Sequence, residues 1–560
     1  MARDSLAAGW GKKFPFPPQD LQVTNRTAAS EKKTKPGMSL GLAAMIMAGS
    51  VFLSRFMGLI RDKVISYYHG AGGEADIYFT SFVIPDFINY LLAGGYFSIT
   101  LIPMLASCFA RDEDSAWRLF SAVFWWVIII SLVFTSLAGA LATPLAQLVG
   151  PGYSPELQAR LAFFLRIILP AQVFFLPGAC LTAILYIRRQ FMVPALTPLI
   201  YNGAIILGGL LSARGMEGFC WGVLAGAFLG SFLLPLWAVW RGGLKLHLNF
   251  RHASLPRLVL LALPLMLGQS LVALDEQFAR IFGSISGEGA VSLLNYARRI
   301  MQVPVGVVAQ AAGVASFPFL ADIAARGDLD RLKEVLSGAL RNVLTVLIPI
   351  CVWMILASEP IIRLIYEQGR FSPAFTGETA LLLRIMLAGV AFWGVQQLVG
   401  RAFYACQDTL TPALVGTVAT ALTLPFYWLL SRAFGPGGIA AAGVAGVAMY
   451  TVALAMIWQR RKGAGTFARL GGHVLASLGA SLGAAVPAAL AMYVLTRLEG
   501  GHPLLWAFVN LAVSGTLFGF VYVIITRRYA PRLLAPLLAP LPRAVRRRIL
   551  PALPEKSTES

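Results

Sequence analysis

From Met38 onward, apolar runs long enough to cross about 30 Å of hydrocarbon recur along the chain, separated by short polar breaks. The pattern predicts membrane spans at 38–60, 77–109, 119–149, 161–186, 192–213, 218–240, 258–283, 290–321, 342–358, 378–405, 410–431, 436–458, 470–496 and 503–526, fourteen in all. An even number puts both termini on one side. Residues 1–37 are polar, contain Pro and Lys, and show no apolar periodicity. They read as a disordered cytosolic extension, because a signal peptide needs an early apolar core and a cleavage site.

Charge changes this picture in two ways. Only 13% of the 560 residues are charged and the mean hydropathy is +0.71, whereas a soluble chain carries about 25% charged residues. A water-soluble enzyme is excluded. The formal net charge of +20 would suggest nucleic acid in a soluble domain, but in a membrane protein it is first tested against the positive-inside rule. With the N-terminus inside, 31 of the 46 Lys and Arg fall in cytosolic segments, 8 in outer loops and 7 in spans. That asymmetry orients the chain in the membrane with both termini cytosolic, and needs no nucleic-acid partner. No loop is long enough for a separate catalytic domain, so an enzyme is not expected.

The sequence is internally duplicated. Ala110-Arg111-Asp112 recurs as Ala325-Arg326-Gly327-Asp328, and Pro103 and Gly72 return as Pro318 and Gly287, at an offset of 215. Leu165-Arg166-Ile167 matches Leu383-Arg384-Ile385, and Tyr186 with Pro194-Ala195-Leu196 matches Tyr404 with Pro412-Ala413-Leu414, at 218. Six spans separate equivalent positions, so the copies run the same way through the membrane. The expected fold is an all-α polytopic membrane protein of about fourteen transmembrane helices, two parallel six-helix repeats plus a C-terminal helix pair. Parallel repeats with cargo handled between them are a transporter architecture.

Ionisable groups inside spans cost about 2.5 to 3.5 kcal/mol on insertion scales and point to function. The first span carries Ser54-Arg55-Phe-Met-Gly58-Leu-Ile-Arg61-Asp62. Helical spacing sets Arg55 and Arg61 on adjoining faces that border a shared strip, about 9 Å apart in height, with Gly58 leaving room between them. Paired guanidiniums there could grip a diphosphate bidentately; the plainer reading has Arg61 snorkelling to the interface and pairing with Asp62. In the eighth span, Asn295-Tyr296-Ala297-Arg298-Arg299 offers one arginine to a cavity and one to an internal partner, with Asp275 or Glu276 as available acids. Glu276 and Arg280 form an i, i+4 pair that reads as structural. Arg166 and Arg384 occupy equivalent places, which favours a shared architectural role. The five histidines form no ligand pattern and the five cysteines no framework, so neither a metal nor a disulfide is expected. A Walker motif is absent, and no cofactor is expected. Asp112, Glu113 and Asp114 are the nearest approach to an acid cluster, and a helix start explains them.

Several motifs together resemble one family: Ser54-Arg55-x-x-Gly58-x-x-Arg61-Asp62, the Gly70-Ala71-Gly72 turn leading to Asp76, Pro85 to Pro103, Tyr296-Ala297-x-Arg299 with Pro304, and Arg401-Ala402-Phe403-Tyr404 with Asp408-Thr409-x-Thr411-Pro412. Residues 38 to about 526 are similar to the MurJ (MviN) lipid II flippases of the multidrug/oligosaccharidyl-lipid/polysaccharide exporter superfamily. The resemblance implies a first lobe at 38–240, a second at 258–458, a lipid-tail groove from the helix pair at 470–526 and a basic cytosolic tail at 527–560. It implies a bacterial inner-membrane flippase that moves undecaprenyl-diphosphate-linked peptidoglycan precursor outward by alternating access, serving cell-wall synthesis. Its partners would be lipid II or a similar polyprenyl-diphosphate glycolipid, membrane lipids and the cell-wall synthesis machinery. Arg55, Arg61 and Arg299 would hold the diphosphate, with Ser54, Asp62, Asp76, Asn89 and Arg298 as polar support. Two positions depart from the family pattern: Asn89 stands where an arginine is usual and Gly94 where a glutamate is usual. They leave room for a paralogue that moves another polyprenyl-linked glycan. A drug or cation exporter of the superfamily would need an acid to attract cations in the first lobe, and the arginine-lined first span argues against it.

Overall fold

Asp112 begins a 28-residue helix in the N-terminal half and Asp328 its 28-residue counterpart in the C-terminal half. In each, the aspartate side chain accepts a backbone N–H of the first turn, from Asp114 at 3.0 Å and from Arg331 at 2.9 Å. Such caps satisfy donors that a helix start leaves free, which gives the sequence repeat around Asp112 and Asp328 its physical cause. The computed structural model describes residues 40–93, 100–212, 215–262, 274–468, 470–498 and 500–533. The predicted extension 1–37, Gly94, the side chain of Asp275 and most of the basic tail lie outside these residues.

The N-terminal half comprises α1 (Leu40–His69), α2 (Gly73–Thr80), α3 (Val83–Ala93), α4 (Ile102–Arg111), α5 (Glu113–Ala140), α6 (Ala142–Val149), α7 (Pro155–Ile168), α8 (Gln172–Ile187), α9 (Met192–Leu211), α10 (Glu217–Gly226) and α11 (Leu234–Arg241). After an extended connection and α12 (255–262), the C-terminal half comprises α13 (Leu274–Ile285), α14 (Ala290–Pro304), α15 (Ala311–Ala325), α16 (Leu329–Leu356), α17 (Ser358–Tyr366), α18 (Pro373–Ala388), α19 (Val390–Ala405) and α20 (Leu410–Arg461). The pair α21 (Leu470–Arg497) and α22 (Pro503–Tyr529) follows. Among the described residues there is no strand.

Ten helical stretches are long and apolar enough to cross a membrane among the described residues. One of them, α20, holds two predicted spans: Gly435 interrupts it with φ 56° and ψ −136°, a conformation open to glycine, directly before Pro436. The first, second, fifth and seventh predicted spans include residues outside the described set. The third predicted span is two helices, α5 and α6, broken at Leu141, and the ninth starts a dozen residues early because Asp328 extends α16 beyond its apolar stretch.

The duplication extends to side-chain bonds. Arg166 donates to Thr143 of α6 at 3.3 Å, and Arg384 donates to Ser358 of α17 at 2.7 Å. Each arginine ties the helix that follows a short helix back to that short helix. The predicted architectural role of this pair is what the structure contains. The helix pair α21 and α22 packs through Ala480, Ala484 and Ala488 against Phe518 and Tyr522, and α21 lies on α16.

Candidate functional site

The two halves meet along a seam with polar contacts at two depths. Asp62 of α1 has a fully buried side chain. Arg61 donates to its Oδ1 through Nε at 3.0 Å and Nη2 at 2.9 Å, and Arg299 of α14 donates to its Oδ2 through Nε at 2.6 Å. One carboxylate therefore binds two guanidiniums, one from each half. Arg61 also donates to Asn202 of α9 at 3.3 Å. Arg299 packs over Gly58: a Cβ there would lie 3.8 Å from Arg299 Nη1, an ordinary contact distance. The space expected between Arg55 and Arg61 is used by an arginine of the other half.

A second cluster joins α3 to α13. Arg280 Nη1 donates to Asp86 of α3 at 2.9 Å, and its Nη2 donates to Glu276 at 2.7 Å. The expected Glu276–Arg280 pair is present, and it also reaches across the seam. No motif pointed to Asp86, Arg280, Asn202 or Glu288. For Asp86 and Arg280 the available signal was an acid and a base inside predicted spans, where unpaired charge is costly. Asn89 follows Asp86 by three residues on α3, half-buried.

The turns before α2 and α14 interlock by a different chemistry. Asp76 is fully buried and accepts the backbone N–H of Gly289 and of Ser292, both at 2.7 Å, so it caps the first turn of α14 from the opposite half. In return, Glu288 accepts the N–H of Gly73 at 2.8 Å and caps α2. Tyr296 donates its hydroxyl to Gly70 O at 3.0 Å, and the N–H of Arg370 donates to Tyr67 O at 2.9 Å. The approach explains Gly70: it has φ 64°, and a Cβ would overlap the Arg370 carbonyl. Directly beneath, Phe79 meets Tyr296 with ring centroids 5.7 Å apart, and Tyr296 meets Tyr366 at 4.9 Å, sealing the seam with apolar surface.

Arg55 lies apart from Arg61. It is exposed, donates to Gln310 Oε1 at 2.5 Å, and packs where a Cβ at Gly306 would overlap its guanidinium. Gly306 and Gln310 belong to a π-helical turn, Val305–Gln310, between α14 and α15; such turns are frequent at functional sites. Ser54 is half-buried on α1, outside both ion clusters. Of the Arg298–Arg299 pair, Arg299 faces the seam. Arg298 turns into its own half, where it lines a pocket with Met301, Met386 and Trp393. Asp76, expected as polar support for cargo, is placed as a helix cap. Asp112, in the third-span loop, is likewise a cap rather than part of an acid site.

Comparison with known proteins places this arrangement. The sequence profile of a family described as lipid II flippase MurJ matches residues 65–512. A protein of Rhizobium meliloti (strain 1021) described as a probable lipid II flippase MurJ is 27% identical over 424 residues, covering 73% of this chain and 78% of its own. The lipid II flippase MurJ of Thermosipho africanus (strain TCF52B) is 26% identical over 418 residues, covering 73% and 84%. Among solved structures, a lipid II flippase MurJ in an inward closed conformation superposes with a TM-score of 0.73 at 23% identity, over 86% of this chain and 99% of that one. An inward-facing multidrug resistance MATE family transporter of the MOP superfamily superposes at 0.61 with 16% identity, over 75% and 97%. The fold is therefore shared with both kinds of transporter.

Proposed function

The chain belongs to the lipid II flippase MurJ family, and on that premise we propose that it moves lipid II from the inner to the outer leaflet of the bacterial cytoplasmic membrane, with both termini cytosolic. It is a multi-pass membrane protein of a transporter family. One observation carries the reading at residue level: guanidiniums from both halves, Arg61 and Arg299, converge on the single buried carboxylate of Asp62. A shared carboxylate leaves one positive charge over. When the halves part, at least one arginine is free to take an anion, and a diphosphate suits the bidentate geometry of a guanidinium. Arg55, exposed near the same seam and within electrostatic reach of Arg299, adds a further cation. The lobes are read as residues 38–240 and 258–458, with 470–526 contributing a surface for the polyprenyl tail.

A drug or cation exporter would need an acid free to attract cations. Asp62 and Asp86 of the N-terminal half are each bound by guanidinium, which favours an anionic cargo. A second reading, a flippase for another polyprenyl-linked glycan, draws on Asn89. Complementation of a strain depleted of its own lipid II flippase separates the two: rescue is expected, and failure by a well-expressed chain supports the other glycan. In the rescued strain, Arg55→Ala and Arg299→Ala are expected to abolish the appearance of lipid II to an external probe while insertion stays normal. Wild-type behaviour of both variants would refute the arginine assignment.

A further inference from the structure

Arg280 belongs to no motif, yet its side chain is more enclosed than that of Arg299, 13% exposed against 29%. Its Nη1 donates to Asp86 across the seam and to Gln277 Oε1 at 3.1 Å, and its Nη2 donates to Glu276. Gln277 is 1% exposed, and its amide Nε2 lies beside the Asp86 carboxylate without a hydrogen bond of good geometry. A buried amide donor is costly to leave unmade, and the one beside Arg280 calls for an oxygen acceptor. Guanidinium and amide together form a donor set for an anion that carries several oxygens. In this structure the carboxylate of Asp86 supplies part of that need.

Both ion contacts across the seam have the same polarity: an aspartate of the N-terminal half holds an arginine of the C-terminal half, Asp62 with Arg299 and Asp86 with Arg280. Separation of the halves strips both arginines of an anionic partner at membrane depth. Counting the groups of this region, Arg55, Arg61, Arg280, Arg298 and Arg299 outnumber Asp62, Asp86 and Glu276 by two. A diphosphate diester carries two negative charges.

We propose that Arg280 and Gln277 form a further subsite for the diphosphate of the lipid-linked cargo, and that Asp86 fills it as an internal substitute while the halves are joined. The proposal rests on the lipid-diphosphate reading above and adds a coupling device to it. A ligand shifts a conformational equilibrium only through different affinities for the two states. The Arg280 subsite becomes available only when Asp86 leaves, so the cargo favours the state in which this contact between the halves is broken. Arrival of the anion then replaces the bond that held the halves together, and the guanidinium is never left unpaired.

The test uses the full chain in nanodiscs of neutral lipid, with undecaprenyl diphosphate as probe and uncharged undecaprenol as control, read by native mass spectrometry. Removing the substitute with Asp86→Asn is expected to tighten diphosphate binding about fivefold or more, and Arg280→Gln to weaken it about tenfold, the size of one lost charge-assisted contact. Gln277→Leu weakens it by less, and the double variant Asp86→Asn/Arg280→Gln binds no tighter than Arg280→Gln alone. Undecaprenol binding stays constant throughout. Arg280→Lys keeps the charge and shows whether loss of binding is loss of fold: a monodisperse Lys variant with intermediate affinity supports the subsite. Wild-type affinity in both Asp86→Asn and Arg280→Gln would overturn the subsite and leave the pair a mere strut. If the wild-type chain itself fails to bind the diphosphate, the lipid-diphosphate reading falls, and the subsite with it.

Discussion

At the turns before α2 and α14 the two halves are joined by carboxylates on backbone amides, and at Asp62 and Asp86 by carboxylates on guanidiniums. Asp76 and Glu288 accept neutral N–H groups of α14 and α2, whereas Asp62 and Asp86 accept from Arg299 and Arg280. The difference decides what can replace each bond. Helix-start amides opened to solvent are satisfied by water. A guanidinium parted from its carboxylate is costly to leave without an anion in an apolar setting: Arg299 loses Asp62, and Arg280 keeps only Glu276 of its own helix. The amide contacts form a closure that water can exchange, and the guanidinium contacts one that another anion exchanges.

Three expectations break or sharpen this contrast. The largest effect belongs to Asp62→Ala. It leaves Arg61 and Arg299 without their carboxylate, and breaking a buried pair in this way costs about 3–5 kcal/mol. Transport is expected to fall to background and thermal unfolding in detergent to shift down sharply; retention of both would show that the guanidinium contacts carry little.

Asp76→Ala comes next. It frees the amides of Gly289 and Ser292, at about 1–3 kcal/mol for an unsatisfied buried group. Hydrogen exchange in the 287–294 segment should quicken while transport persists at a reduced rate. Glu288→Ala, at an exposed cap, should follow with about 1 kcal/mol or less. A transport defect in Asp76→Ala as complete as that of Asp62→Ala would erase the distinction between the two kinds of contact.

The smallest effect compares the repeats themselves. Ser358→Ala removes the 2.7 Å bond to Arg384, and Thr143→Ala the 3.3 Å bond to Arg166. Each loss is worth about 0.5–1.5 kcal/mol, with the shorter bond expected to cost more. Equal melting temperatures for the two variants would mean that the duplicated bond has lost its asymmetry.

Much of the fold could be read directly. Apolar run length marks segments that must satisfy their own backbone in lipid, and this forces helix. The repeated Ala-Arg-Asp and Leu-Arg-Ile segments marked equivalent caps and tethers. The reading faltered where helices break for local reasons: Leu141 separates α5 from α6 inside one apolar run, and the cap at Asp328 starts α16 ahead of its apolar stretch. At the candidate site, Arg61, Asp62 and Arg299 stood out as charges in apolar helices, and the structure brings them together. Asp76 stood out only through the family motif after Gly70-Ala71-Gly72, and it caps a helix. Asp86 and Arg280 carried the same signal, but Arg280 was absorbed by its helical neighbour Glu276, because i, i+4 spacing reveals only partners on one helix.

The sequence alone therefore determined where the apolar runs lie and that they are helical, the duplication and the list of charges that need partners. These follow from composition and period, which act residue by residue. Tertiary structure decided which carboxylate meets which guanidinium: Asp62 with Arg299 at a separation of 237 residues, and Asp86 with Arg280 at 194. Charge pairing across such distances depends on how the two halves dock, and helical spacing within either half contains no information about that.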